Sequence, residues 1–160
     1  VSDSSLLASG GAAEAFARAA VRDEQDLGAL LDDLDAEEKK DRALVALDAE
    51  WHRAIASGSI DATEARTLGN LFLEAGVEAP PAIAALKPGD AIRGADLDRL
   101  DQSVEASVAD GRSTASNAEV DLKIGSNYLA SEIQNNWGNA SNVLKIENDT
   151  YMNTIKNLIA

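Results

Sequence analysis

Between Leu97 and Leu158 the chain reads LDRLDQSVEASVADGRSTASNAEVDLKIGSNYLASEIQNNWGNASNVLKIENDTYMNTIKNL, and the phase of its apolar residues decides the fold. The stripe runs Leu97, Leu100, Val104, Val108, Gly111, Ala115, Ala118, Leu122, Gly125/Ser126, Leu129, Ile133, Trp137, Ala140, Leu144, Glu147, Tyr151, Ile155, Leu158. It covers 61 residues in 17 steps, about 3.6 residues each, the period of a nearly straight α-helix rather than the 3.5 of a tight left-handed supercoil. A helix of that length would reach roughly 95 Å, too far to bury its stripe against a compact domain. Its partner is therefore another long helix, in this chain or in a second copy.

Working outward, Ala109-Asp110-Gly111-Arg112-Ser113-Thr114 is the place where this helix would break. Glycine costs about 1 kcal/mol in a helix interior, yet the stripe keeps phase on both sides, which an intervening loop rarely preserves. One helix over 95–158 is expected. Upstream, Lys87-Pro88-Gly89-Asp90 is a turn, because proline presets the first turn dihedral and glycine accepts positive φ. Pro80-Pro81 and Gly76 punctuate the chain before it. Asp61-Ala62-Thr63-Glu64 has the spacing of an Asp N-cap with Glu at N3, so a helix should run from there to Ala75 and stop at Gly76 as its left-handed C′ residue.

An N-terminal helix is expected over 12–56, after a flexible Ser9-Gly10-Gly11. Its apolar face is Phe16, Ala20, Leu27, Leu31 and Leu34, then Leu44, Leu47, Trp51 and Ile55. The charge run from Asp35 to Arg42 between these sets reads as a solvated helical stretch with i,i+4 pairs Asp35/Lys39 and Glu38/Arg42. Residues 57–94 form a small helical connector. The expected organisation is a single elongated all-α domain with two long helices, over 12–56 and 95–158.

Composition agrees with helix. Hydrophobic residues make up 45% of the 160 and aromatics only 4%; the Ala- and Leu-rich remainder favours helix over sheet. The formal charge of −14 argues against nucleic acid or an acidic membrane surface as partner. The chain has no cysteine, which removes disulfides and thiolate zinc sites and suits export to an oxidising exterior. No run approaches the length of a membrane span, and no cleavable signal peptide opens the chain. Starting at Val1 rather than at methionine, it reads as a piece of something longer.

Charge is uneven along the chain. Residues 1–110 hold 23 acidic and 10 basic residues, whereas 111–160 hold 5 and 4. Asparagine moves the other way: Asn70 stands alone before residue 111 and nine follow it. Asparagine is a poor helix former, so packing must stabilise this helix. A neutral amide-rich surface also lets identical helices approach without like-charge repulsion.

Little in the chain carries catalytic or metal chemistry. His52 is the only histidine and reads as a partly exposed helical residue. The clusters Asp32-Asp33 with Asp35, and Asp96, Asp98 and Asp101, read as solvated faces. Gly58, Ile60 and Glu64 match the sixth, eighth and twelfth positions of a calcium loop, but Arg53 and Ile55 occupy positions that need oxygen ligands. No phosphate-binding glycine loop occurs. No enzyme, cofactor or metal is expected.

From Val77 to Ala160 the order of features resembles the C-terminal half of type III secretion needle-tip and extracellular filament proteins, especially the EspA-like filament group. The features are Pro80-Pro81 and Lys87-Pro88-Gly89-Asp90, then Ala95-Asp96-Leu97-Asp98-Arg99-Leu100. Ser113-Thr114-Ala115-Ser116-Asn117 leads into Val120-Asp121-Leu122-Lys123-Ile124, and the chain closes with Asn142-Val143-Leu144 and Asn148 to Ile159. The resemblance implies that the two long helices form an antiparallel coiled-coil hairpin. It also implies secretion without a cleaved signal, to the bacterial surface, and self-assembly through the terminal helix into a filament or needle tip. Leu122, Leu129, Ile133, Ala140, Leu144, Tyr151, Ile155 and Leu158 then carry packing, within the chain or between copies. The implied partners are the chain itself, needle or translocator proteins and a cognate chaperone. The alternative is a cytoplasmic helical adaptor or secretion chaperone that uses the same stripe to hold a partner's helix.

Overall fold

The computed structural model describes residues 3–159, with side chains from Gly11 onward. The elements are α1 (Asp3–Ser57), β1 (Ser59–Asp61), α2 (Ala62–Ala75), α3 (Pro81–Ala84), β2 (Ala91–Arg93) and α4 (Gly94–Ile159). The all-α expectation holds at the level of four helices, two of them long. α4 passes through Gly111 without a break. α1 begins at Asp3 rather than Ala12, so Ser9-Gly10-Gly11 lies inside the helix. Leucines and alanines on either side supply helix propensity that offsets the two glycines.

The connector is not purely helical. β1 and β2 pair antiparallel, with Ser59 opposite Arg93, Ile60 opposite Ile92 and Asp61 opposite Ala91. The central pair is β-branched and buried on both strands, which suits a pleated surface. Gly58 and Gly94 flank this ribbon at φ of 78° and 59°. These left-handed conformations are inexpensive only for glycine, and they turn the chain out of α1 and into α4.

The chain divides into two compact units: unit 1, residues 1–32 with 122–160, and unit 2, residues 33–121.

Unit 2 has a core. Leu44, Leu47, Trp51, Ile60, Leu68, Phe72 and Val104 are its largest fully buried side chains, and the Trp51 and Phe72 rings meet edge to face with centroids 6.4 Å apart. α2 is fixed at both ends by local chemistry. The Asp61 carboxylate accepts from the Thr63 and Glu64 backbone N–H groups, each at 2.8 Å. At the other end the Gly76 N–H donates to the Leu73 carbonyl (3.1 Å) and the Val77 N–H to the Phe72 carbonyl (3.0 Å). That is the paired-bond stop with a left-handed C′ glycine. The Asp90 N–H closes the Lys87 turn at 3.0 Å.

Gly111 has a packing reason. A Cβ there would lie 3.0 Å from Leu44 Cδ2 and 3.3 Å from Val77 Cγ2, so the missing side chain lets α4 sit close against Leu44. The helix cost of glycine is offset by that approach.

Unit 1 is built differently. Among its described residues the buried side chains are Ala13, Ala20 and Ala140. Phe16, Leu27, Leu30, Leu122, Leu129, Ile133 and Val143 are half-buried. Leu31, expected on the inward face of α1, is exposed, and Leu30 takes that place, 3.3 Å from where a Gly125 Cβ would stand. The inward heptad steps of α1 here are Ala13, Ala20 and Leu27. A second heptad set, Phe16, Asp23 and Leu30, runs beside them, and Leu31 belongs to neither.

Candidate assembly surface

The residues that the sequence singles out for packing are spread over α4 in unit 1. Ala140 is buried; Leu122, Leu129, Ile133 and Ile155 are half-buried; Leu144, Tyr151 and Leu158 are exposed, at 54%, 58% and 81%. The inward positions of α4 run Leu122, Gly125/Ser126, Leu129, Glu132/Ile133, Asn136, Ala140, Val143, Glu147. That is 25 residues in seven steps, about 3.6 each. The apolar stripe has the same average period over this stretch and departs from the intramolecular seam only at single steps. It meets the seam up to Ile133, leaves it at Trp137, where Asn136 turns inward instead, rejoins it at buried Ala140 and leaves it again at Leu144, where Val143 is the half-buried neighbour. Further on, Tyr151 and Leu158 are exposed and Ile155 is half-buried.

The seam itself is partly polar. The Asn136 side-chain amide donates to Asp23 Oδ2 at 2.9 Å, and Trp137 Nε1 donates to Glu24 Oε1 at 3.0 Å. Glu147 faces inward, and its Oε1 is buried with no hydrogen-bond partner among the described residues. Polar contacts of this kind fix register but add modest net stability. Close to the C-terminal end, Leu144, Tyr151, Met152, Leu158 and Ile159 are all exposed. A run of large apolar side chains on one helix end is the feature that marks an interaction surface, whereas isolated ones are ordinary.

In unit 2 the titratable residues hold structural positions. Asp101, expected on a solvated face, accepts from Trp51 Nε1 at 2.8 Å and is half-buried. Spacing alone does not reveal this, because the partner lies fifty residues away. His52 is exposed. Its Nδ1 lies 2.8 Å from the Asp48 carbonyl, and its Nε2 lies 3.9 Å from a Glu105 carboxylate oxygen. The Asp48 backbone hydrogen bond, then the Asp48 charge, hold its pKa above the ordinary histidine value. A groove of about 340 Å³ beside Gly111 is lined by Glu37, Lys40, Asp110 and Thr114 among others, with Lys40 paired to Glu37 at 2.9 Å. Arg53 pairs with Glu50 one turn back.

Among the described residues no group of three or more His, Asp and Glu side chains is placed to hold a metal ion. No described helix combines the length and apolarity needed to cross a membrane. Compared with protein-family models, with curated proteins and with solved structures, the chain matches none of them.

Proposed function

We propose that this chain is a structural subunit that self-assembles through the C-terminal part of α4. The carrying observation is the exposed apolar run Leu144, Tyr151 and Leu158 on a helix segment whose unit, among the described residues, buries only alanines. In the resemblance to type III secretion filament and needle-tip proteins, such a subunit is exported to the bacterial surface. There it builds a filament or tip alongside needle or translocator proteins, after escort by a chaperone. The long helices fit an antiparallel coiled-coil hairpin. In unit 2 Trp51 meets Asp101, and Leu44 lies against Gly111; in unit 1 Asp23 and Glu24 meet Asn136 and Trp137. Positions rising along α1 thus pair with positions falling along α4 within each unit. No catalytic step belongs to this reading.

Sedimentation velocity and electron microscopy of the purified full chain test the assembly. Wild type should form filaments or large oligomers, and Leu144→Asp should abolish them while circular dichroism stays helical, because the side chain is exposed in the single chain. A wild type that remains monomeric at its highest soluble concentration overturns the reading. Export is tested by fractionation: surface or supernatant protein supports the type III assignment, and a wholly cytosolic pool contradicts it.

A further inference from the structure

The unit 1 seam changes character at Gly138. Just before it stand two contacts between the helices, Asn136 with Asp23 and Trp137 with Glu24. Gly138 itself is exposed, and a Cβ there would meet nothing within 4 Å. Unlike Gly111, it has no close approach to offset its weak helix propensity. Past Gly138 the inward side chains of α4 are Ala140, Val143 and Glu147, of which Ala140 is buried and the other two half-buried. The register of the two contacts sets Glu147 opposite about Ala13, another small buried residue. Glu147 Oε1 is shut from water with no hydrogen-bond partner among the described residues. The cations near this level are engaged or turned away. Arg18 donates to Glu14 on its own helix at 2.6 Å, and exposed Lys145, two residues before Glu147, lies about 200° round the helix from it.

We infer that the arm of α4 past Gly138, residues 139–159, swings away from α1, with Gly138 as the hinge, the Asn136 and Trp137 contacts as the anchor and Glu147 as the group that drives the opening. A carboxylate oxygen held away from water without a donor opposes closure, and separation of the helices returns it to solvent. Alanine and valine around it bury little apolar area to set against that. The closed and open arms present different surfaces, because opening adds Ala13, Phe16 and Val143 to the apolar side chains already exposed. Local opening of this kind is a two-state element within one chain. It does not depend on self-assembly.

The chain has no cysteine, so introduced thiols carry spin labels at chosen sites. Ala15→Cys with Asn148→Cys spans the arm, and Asp26→Cys with Gln134→Cys spans the anchored part; all four positions are exposed. Pulsed electron paramagnetic resonance is read on the full chain at low concentration, with labelled chain diluted into unlabelled so that distances within one chain are measured. The arm pair should give a short and a long population, and the anchored pair a single short one. Glu147→Leu should cut the long population at least several-fold, Gly138→Ala should reduce it less, and Asp149→Leu, which removes an exposed carboxylate two residues on, should leave it unchanged. A single short arm distance in the otherwise native chain overturns the inference, whether or not the chain assembles. So does a long population that Glu147→Leu leaves in place or that Asp149→Leu reduces equally.

Discussion

Trp51 and Trp137 make the same bond in unlike surroundings. Each indole on one long helix donates to a carboxylate on the other, Trp51 to Asp101 and Trp137 to Glu24. Trp51 is 1% exposed, within a cluster of fifteen buried residues, whereas Trp137 is 41% exposed in a unit whose buried side chains, among those described, are three alanines. Burial of large apolar side chains stabilises far more than a polar bond near solvent. Unit 2 therefore holds itself together, and unit 1 leaves apolar surface for something else to cover. In the proposed assembly, this contrast separates the part of the chain that carries the core from the part offered to other copies.

The two tryptophans give the largest test of that contrast. Trp51→Ala should cost about 3–5 kcal/mol, and Trp137→Ala no more than about 1 kcal/mol, read as shifts in urea midpoint by circular dichroism on the dilute single chain. Equal losses would erase the distinction between the units.

Two helical glycines sharpen it through opposite signs. Gly111→Ala forces a Cβ to 3.0 Å from fully buried Leu44, and overpacking should outweigh the gain in helix propensity for a net loss of about 1 kcal/mol. Gly138 has nothing within 4 Å of a Cβ, so Gly138→Ala should stabilise by about 0.5–1 kcal/mol. Thermal melts of the two variants check the signs.

The smallest effect belongs to His52. Its pKa is raised in the folded chain by the Asp48 backbone hydrogen bond, then by the charges of Asp48, Glu105 and Asp101. The folded state thus holds the proton more tightly than the unfolded chain. That contribution is fully present below the unfolded value and is lost as pH rises through the higher folded value. Between about pH 5.5 and about pH 8.5, wild type should lose slightly more stability than His52→Gln. A His52→Gln profile parallel to wild type would remove the contribution.

Features decided by neighbours in sequence were readable in advance. The Asp61 cap, the Gly76 stop and the Lys87–Asp90 turn depend on a few adjacent residues, and all three form as their chemistry requires. The continuity of α4 was readable from phase, although the reason for Gly111 was not, since Leu44 and Val77 come from distant parts of the chain. The three-residue ribbon was too short for alternation to show. The seam of unit 1 was legible only in part: apolar phase favours Trp137 and Leu144, whereas the inward positions are their neighbours Asn136 and Val143, and Asn136 is held there by Asp23, a residue 113 positions away.

The claim that unit 2 folds alone while unit 1 is completed by other copies is tested most directly by amide hydrogen exchange at low and at high protein concentration. Exchange in residues 122–159 should be fast in dilute protein and slow markedly as concentration rises, while protection around Trp51, Phe72 and Val104 stays high and unchanged. Equal protection of the two regions at both concentrations would contradict the account.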